Sequence, residues 1–380
     1  MAKKVIVSVT NDLYTDPRVD KVCNFLTNNH FDVLLVGRCY KDSPKLQTRK
    51  YHTKRLRLFF QKGGLFYAEF NLRLFFFLLF KKCDLLVAND LDTLLPNVLI
   101  SKLRRKDIVY DSHEYFTEML TIADRPFVKK TWTRIEYFCF PKLKHAITVS
   151  QSIAEKYQEK YGIKVHVVRN IPPVEMPPIT ETRKSLNLPE DKPIIVLQGN
   201  GIHEGRGGEE LIQAMQYVDD VLLLVIGSGT VLPKLKQMVE ELSLSDKVWF
   251  IGRVDFAKLY NYTYLSDIGI SLDKNASLNH YFSLPNKIFE YIRAYTPIIT
   301  SDLIERRKII DKYKIGKVVE DFKPTTIAKA INEMLDDKEQ YLIYKENCKT
   351  AAQELTWENE EKVLQEVYGL FIICYTAVYV

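Results

Sequence analysis

The stretch VLQGNGIHEGRGGEELIQAM, residues 196–215, runs from an apolar strand through Gly199 and Asn200 into a glycine cluster completed by Gly201, Gly205, Gly207 and Gly208. The cluster surrounds a single arginine, Arg206, and a helical pattern follows at once. Glycines let backbone amides approach an anion, a helix start adds about half a positive charge, and a guanidinium forks onto phosphate oxygens. The combination suits a diphosphate; the plainer alternative is a flexible loop with a solvated arginine. A second candidate lies in SLPNKIFEYI, residues 283–292, where Ser283 or Asn286 can cap a short amphipathic helix and Pro285 occupies a tolerated first-turn position. Amides near Asn286 and Lys287 are then open to an anion. Lys287 and Glu290 share a face away from Ile288, Phe289 and Ile292. The carboxylate can accept both hydroxyls of a ribose while the ammonium offsets diphosphate charge; otherwise the two form a surface ion pair of about 0–1 kcal/mol. The strand ends at Gly227 and at Gly252 with Arg253 complete the same rim.

Such groups need strand ends to stand on. VIVSV (5–9), DVLLVG (32–37), CDLLVAN (83–89), DIVYDS (107–112), HAITVS (145–150) and VHVVRN (165–170) alternate with helical patterns, among them the aromatic NLRLFFFLLF. Continuous apolar strands joined by helices predict a parallel sheet covered on both faces. RNIPPVEMPPIT, residues 169–180, carries four prolines and marks a linker. The alternation then restarts with PIIVLQGN, VLLLVIGSG, KVWFIGRV, DIGISLD, PIITSD and GKVVE. The predicted fold is α/β, with two Rossmann-like domains at 1–170 and 181–352 around a linker at 171–180. A helix over 353–371 is expected to pack back toward the N-terminal domain, and the apolar tail 372–380 receives no role. Parallel sheets in this arrangement face a central cleft, and open α/β sheets bind ligands at the carboxyl ends of their strands.

Composition narrows the classes. At 380 residues, 46% hydrophobic and 27% charged, the chain is ordinary globular material for two domains. The longest apolar runs, LFFFLLF and LFIICYTAVYV, fall short of the roughly 20 residues that span a bilayer, so no transmembrane helix is expected. The N-terminus reads as a buried strand rather than a leader, which predicts a cytoplasmic protein. Six cysteines without a CxxC pair read as reduced core thiols. Residues 1–180 carry 30 basic against 18 acidic side chains, and the remainder 24 against 30. Much of the excess lies in residues 41–82, where 11 basic residues sit among aromatics. This segment predicts contact with an anionic membrane surface and a peripheral position on the inner face of the cell membrane. The alternative is a buried helix of the first domain; nucleic acid is excluded as a partner because no binding module appears.

The ordered set GNGIHEGRGGEELIQAM, IGSG, WFIGRV, SLPNKIFEY and PIITSD resembles the donor-binding domain of GT-B glycosyltransferases of the large retaining family 4. TNDLYTDPRVDKV, ANDLDTLLP and YDSHEYF resemble the acceptor-side domain of its bacterial surface-polysaccharide members. The resemblance covers about residues 3–370. It implies a retaining transfer from a nucleoside-diphosphate sugar to a hydroxyl acceptor, a glycan or lipid-linked glycan in cell-surface polysaccharide synthesis. Glu290 would hold the donor ribose, Arg206 the diphosphate, and the segment around Asn286 and Lys287 the phosphates, with His113 facing the donor sugar near its anomeric carbon. Asp16, Arg18, Asp90 and Asp92 fall on the acceptor side. Two departures stand out. Phe282 replaces the first glutamate of the family's E-x7-E pattern, leaving its work to backbone amides, to Asn279 or Asn275, or to no group at all. The loop after the first strand also lacks the glycines many members carry. Asp90 and Asp92 have the spacing of a divalent-cation pair in GT-A enzymes. Two Rossmann-like halves argue against that architecture, so no metal or other cofactor is expected and the aspartates read as loop and helix caps or acceptor-side groups. A sugar-nucleotide 2-epimerase of the same fold and a non-catalytic membrane-associated subunit are the alternatives.

Overall fold

The structure, a computed structural model, describes residues 2–14 and 16–371. The tail 372–380, with Cys374, lies outside them. The chain divides into two compact units, residues 1–169 with 361 onward, and residues 170–360.

In the first unit, β1 (Lys4–Ser8), α1 (Pro17–Asn28), β2 (Asp32–Cys39), β3 (His52–Arg57), α2 (Gly63–Phe80), β4 (Leu85–Asn89) and α3 (Leu91–Arg104) lead to β5 (Asp107–Ser112). Then come α4 (Leu120–Ala123), α5 (Pro126–Cys139), β6 (His145–Thr148), α6 (Gln151–Tyr161) and β7 (Val165–Val167). The strands pair in parallel in the order β3-β2-β1-β4-β5-β6-β7. Val5, Ile6, Val7, Leu85, Leu86 and Val87 in the central strands are buried. This is the continuous apolar pattern expected where helices cover both faces, and each such side chain contributes about 1.5–3 kcal/mol.

Two features depart from the sequence reading. HTKRLR forms β3, an edge strand in register with β2 from Leu34 opposite His52 to Cys39 opposite Arg57. Its cations suit an exposed edge, which charge protects from pairing with another chain. α2 is long and apolar enough, by length and composition, to cross a bilayer. The runs on either side of Glu69 and Arg73 join into one 18-residue helix. Phe66, Phe70, Leu74 and Leu78 are buried, however, so one stripe belongs to the domain's own core.

The second unit contains β8 (Ile194–Gly199), α7 (Gly208–Ala214), β9 (Leu222–Gly227), α8 (Leu232–Glu241), β10 (Val248–Gly252), α9 (Phe256–Tyr264) and β11 (Ile268–Ser271). α10 (Leu278–Tyr281), α11 (Asn286–Arg293), β12 (Ile298–Ser301), α12 (Ile304–Tyr313), β13 (Gly316–Val319), α13 (Pro324–Asp336) and α14 (Lys338–Glu354) follow. Its parallel sheet runs β10-β9-β8-β11-β12-β13. α15 (Trp357–Gly369) begins in this unit and ends in the first, where Tyr368 meets Phe25. In each sheet the connection order reverses beside the first strand, between β1 and β4 and between β8 and β11, and such switch points open a crevice at the strand ends.

Candidate active site

At the β8–β11 switch point hydrogen bonds tie the glycine loop to the neighbouring strand ends. Ser228 N–H donates to the Gly199 carbonyl at 3.0 Å, Ile202 N–H to Ser228 at 3.0 Å, and Lys274 N–H to Gly205 at 2.8 Å. Gly227 adopts φ +129°, and a Cβ there would lie 1.9 Å from the Gly199 carbonyl oxygen. Only glycine allows the two strand ends to touch in this way. Arg206 donates to Asp273 at 3.0 Å, and Arg306, fully buried at the foot of α12, pairs with the other oxygen of Asp273 at 2.6 Å. Burial alone would raise the Asp273 carboxyl; Arg306, Lys287 and Arg206 instead hold it well below the usual carboxylate range. Burial lowers Lys287, Asp273 opposes that shift, and Arg306 and Arg206 add to it. Three cations thus crowd one carboxylate, a charge arrangement that an incoming anion would relieve. Asn200 and Arg253 are exposed, and Gly252 ends β10 at φ +77°.

α11 begins without a side-chain cap. Pro285 occupies the cap position, and neither Ser283 nor Asn286 performs the capping expected of them: Ser283 Oγ donates to His280 O at 2.8 Å and accepts from Arg306 at 3.3 Å. The first amides of a helix lack intrahelical partners, so this end remains an anion-binding terminus. Tyr291 ties the helix to the sheet, its hydroxyl donating to Ile270 O at 3.0 Å, and its ring lies where a Cβ on Gly269 would come within 2.4 Å. Glu290 accepts from Gln198 Nε2 at 2.6 Å, and Gln198 in turn accepts from Thr263 at 2.6 Å. Phe282 is buried in place of the family glutamate, Asn279 is buried and Asn275 exposed. His280 carries a buried Nδ1 without a hydrogen-bond partner. Burial, followed by Arg206 and Arg306, lowers its pKa.

In the first unit, the β1–β4 switch point holds an acidic cluster around His113. The His113 amide donates to Asp90 Oδ1 at 2.8 Å, and its ring lies 3.5 Å from Asp90 and 3.7 Å from Asp111. Burial alone would lower this imidazole, yet Asp90 and Asp111 raise it to about 9. Asp90 stands at the start of α3 with φ +58°, in the left-handed region that is strained for a residue with a side chain. Its carboxylate serves His113 and does not cap the helix, as one alternative reading had it. Burial, then Asp90, raises Asp92 to about 7, while Thr10 donates to it at 2.6 Å. Asp16 caps α1 by accepting from Val19 N–H at 3.0 Å. Arg18, expected toward the acceptor, is instead 4% exposed, paired with Asp111 at 2.7 Å and bonded to the Val168 carbonyl. It positions Asp111 beneath His113.

Arg206, Lys287 and Glu290 therefore stand in one cluster, while His113, Asp90 and Asp92 form another. Sequence reasoning missed Asp273, Arg306, Gln198 and His280. DIGISLD and VLQGN place Asp273 and Gln198 at strand ends, the one positional signal that could have flagged them.

Residues 178–353 match the family model described as glycosyl transferases group 1, and residues 18–173 that of glycosyltransferase family 4. No curated protein matches the chain. Among solved structures it is similar to a sucrose-phosphate synthase from Thermosynechococcus elongatus, with 18% identity, 97% of this chain and 99% of that one covered, and a TM-score of 0.80. HepE from Anabaena, solved in complex with UDP-glucose, gives 13% identity, 97% and 99% coverage and a TM-score of 0.72. WaaG, a glycosyltransferase involved in lipopolysaccharide biosynthesis, gives 15%, 96% and 100%, and 0.72.

Proposed function

The chain is a GT-B glycosyltransferase whose two parts belong with family 4 and with the group 1 glycosyl transferases, and from that premise we propose that it is a retaining enzyme. It moves a sugar from a nucleoside-diphosphate donor to a hydroxyl of a glycan or lipid-linked glycan in surface-polysaccharide synthesis. One observation carries the reading: Arg206, Lys287 and Arg306 converge on Asp273 beside the uncapped start of α11, with Glu290 oriented by Gln198. In HepE this fold holds a UDP-sugar.

On this reading Glu290 accepts the ribose hydroxyls, and Arg206 with the α11 amides takes the diphosphate. As the C1–O bond lengthens toward an oxocarbenium-like state, charge grows on the departing phosphate oxygen. Cations fixed there beforehand stabilise that charge more than they stabilise the bound donor. No metal enters this account. His280, with its free buried nitrogen, joins Asn279 in contacting the sugar hydroxyls that the missing glutamate would have held. His113 faces the sugar near C1, and Asp90 and Asp92 stand toward the acceptor. The basic aromatic segment 41–82 brings the enzyme to an anionic membrane surface, where a lipid-linked acceptor is reached.

Incubation with a panel of nucleoside-diphosphate sugars and a lipid-linked glycan, followed by NMR of the product, tests this. The expected outcome is release of nucleoside diphosphate from one donor and a product anomer matching that donor. An inverted product would contradict retention, and interconversion of the intact donor would mean an epimerase.

A further inference from the structure

Arg38 stands near the end of β2 with its guanidinium against two rings, 4.0 Å from the centre of Tyr40 and 4.4 Å from that of Phe66. Stacking of this kind occupies the faces of the cation and leaves its N–H edge for a partner. Arg38 forms no ion pair among the described residues. Its Nη1 donates to the Gln61 carbonyl at 3.3 Å, and its buried Nε has no hydrogen-bond partner. The loop that carries Gln61 is itself held, because Glu69 of α2 accepts the Phe59 and Phe60 amides at 2.9 Å each. Arg55 of β3, by contrast, is already paired with Asp12 at 3.2 Å.

A carboxylate and a hydroxyl accompany this cation. Asp92, at the start of α3 and 7% exposed, accepts from Thr10 through Oδ2, while its buried Oδ1 has no partner. Tyr67 of α2 is held edge-on by Trp132 at 5.1 Å, which Phe116 braces at 5.1 Å in turn. Its hydroxyl bonds to no other side chain or carbonyl among the described residues. Asn71, one turn further along α2, ties the helix to α3 by donating to the Asp92 carbonyl at 2.8 Å. The charges of Arg38 and Asp92 act on each other and both act on Tyr67, yet the two do not pair. A buried acceptor left unmatched is costly, so Oδ1 is set for a donor that arrives with a ligand. One molecule offering a hydroxyl at one point and an anion at another satisfies both groups. A sugar phosphate has that chemistry, whereas a neutral sugar leaves the Arg38 fork unmatched.

We propose that Arg38, Asp92 and Tyr67 form a subsite that selects the acceptor, Arg38 taking a phosphate and Asp92 with Tyr67 a hydroxyl of the same sugar. The acceptor is then a glycosyl phosphate or diphosphate rather than a neutral glycan. The inference rests on the glycosyltransferase reading above and names the acceptor class within it. Binding to the full chain is measured by saturation-transfer NMR at pH 8, above the value of about 7 to which burial raises Asp92, with excess UDP to fill the donor site. The probes are glucose 1-phosphate, methyl glucoside and farnesyl diphosphoglucose. Glucose 1-phosphate should bind about tenfold or more tightly than methyl glucoside. Arg38→Gln should abolish that difference, and Arg38→Lys, which keeps the charge and loses the fork, should retain part of it. Asp92→Asn with Tyr67→Phe should weaken both of these probes alike, by about fivefold. Tighter binding of farnesyl diphosphoglucose than of glucose 1-phosphate assigns a lipid-linked acceptor, and equal or weaker binding a soluble one; either supports the proposal. Equal affinity of wild type for the charged and neutral sugars would overturn it. So would a charge preference that survives Arg38→Gln, or an Asp92/Tyr67 variant that binds both sugars as wild type does, in proteins whose thermal melts show them folded. No transfer is measured, so the two readings fail separately: missing UDP signals count against the donor site, and a missing phosphate preference against this subsite.

Discussion

Asp273 holds the guanidinium groups of Arg206 and Arg306 on its two carboxylate oxygens. It aligns Arg206 while leaving that guanidinium about a third exposed and able to meet a ligand. Arg206→Ala should therefore lower turnover by about 10²–10³-fold, as loss of one transition-state charge contact does, with little change in melting temperature; steady-state kinetics beside a thermal melt checks both. At the other cluster the prediction concerns pH. Folded His113 titrates near 9 against 6.5 for the free side chain, so its stabilisation is complete below 6.5 and is lost as pH rises through 9. Asp92 has the same sign: raised to about 7 from 3.8, its contribution is complete below 3.8 and lost as pH rises through 7. Urea unfolding should thus show stability falling by on the order of 1–3 kcal/mol from pH 6.5 to 9. Asp92→Asn should raise stability above pH 7, and His113→Gln should flatten the remaining slope. A profile unchanged in both variants would mean that these groups do not titrate as placed.

Elements hold these residues by contacts that only small side chains permit. Gly227 touches the Gly199 carbonyl, and Gly269 lies under the Tyr291 ring that ties α11 to β11. Gly269→Ala should cost about 1–3 kcal/mol by overpacking and should also weaken donor binding, because α11 must shift. Denaturant melts and donor KM read the two effects separately. Most elements are legible in the sequence because buried parallel strands are continuous apolar runs, as in LLVAN and IIVLQG. β3 is not: HTKRLR carries charge where a central strand carries apolar residues, and only its pairing with β2 identifies it as an edge. The outward apolar side chains of α2, Leu65, Leu72, Phe76 and Phe80, are hidden for a different reason, since a helix apolar on nearly every side gives little sign of which side the domain covers.

Across the whole molecule, both clusters sit at switch points of their own sheets, which is why the motif-bearing loops carry them. The nucleotide half of the donor site is legible because its residues are contiguous: the glycines with Arg206, and Lys287 with Glu290. What escapes is what the fold assembles from afar, Asp273 and Arg306 beside Arg206 and Gln198 beside Glu290. Uneven charge is legible as a total, but its placement on the edge strand β3 is not. The central claim is that the C-terminal unit binds a nucleoside diphosphate through Arg206 and Glu290. Calorimetric titration of the full chain with UDP and the other nucleoside diphosphates tests it most directly. One of them should bind, and Arg206→Ala and Glu290→Ala should each weaken that binding by about tenfold or more; affinity unchanged in both variants would contradict the account.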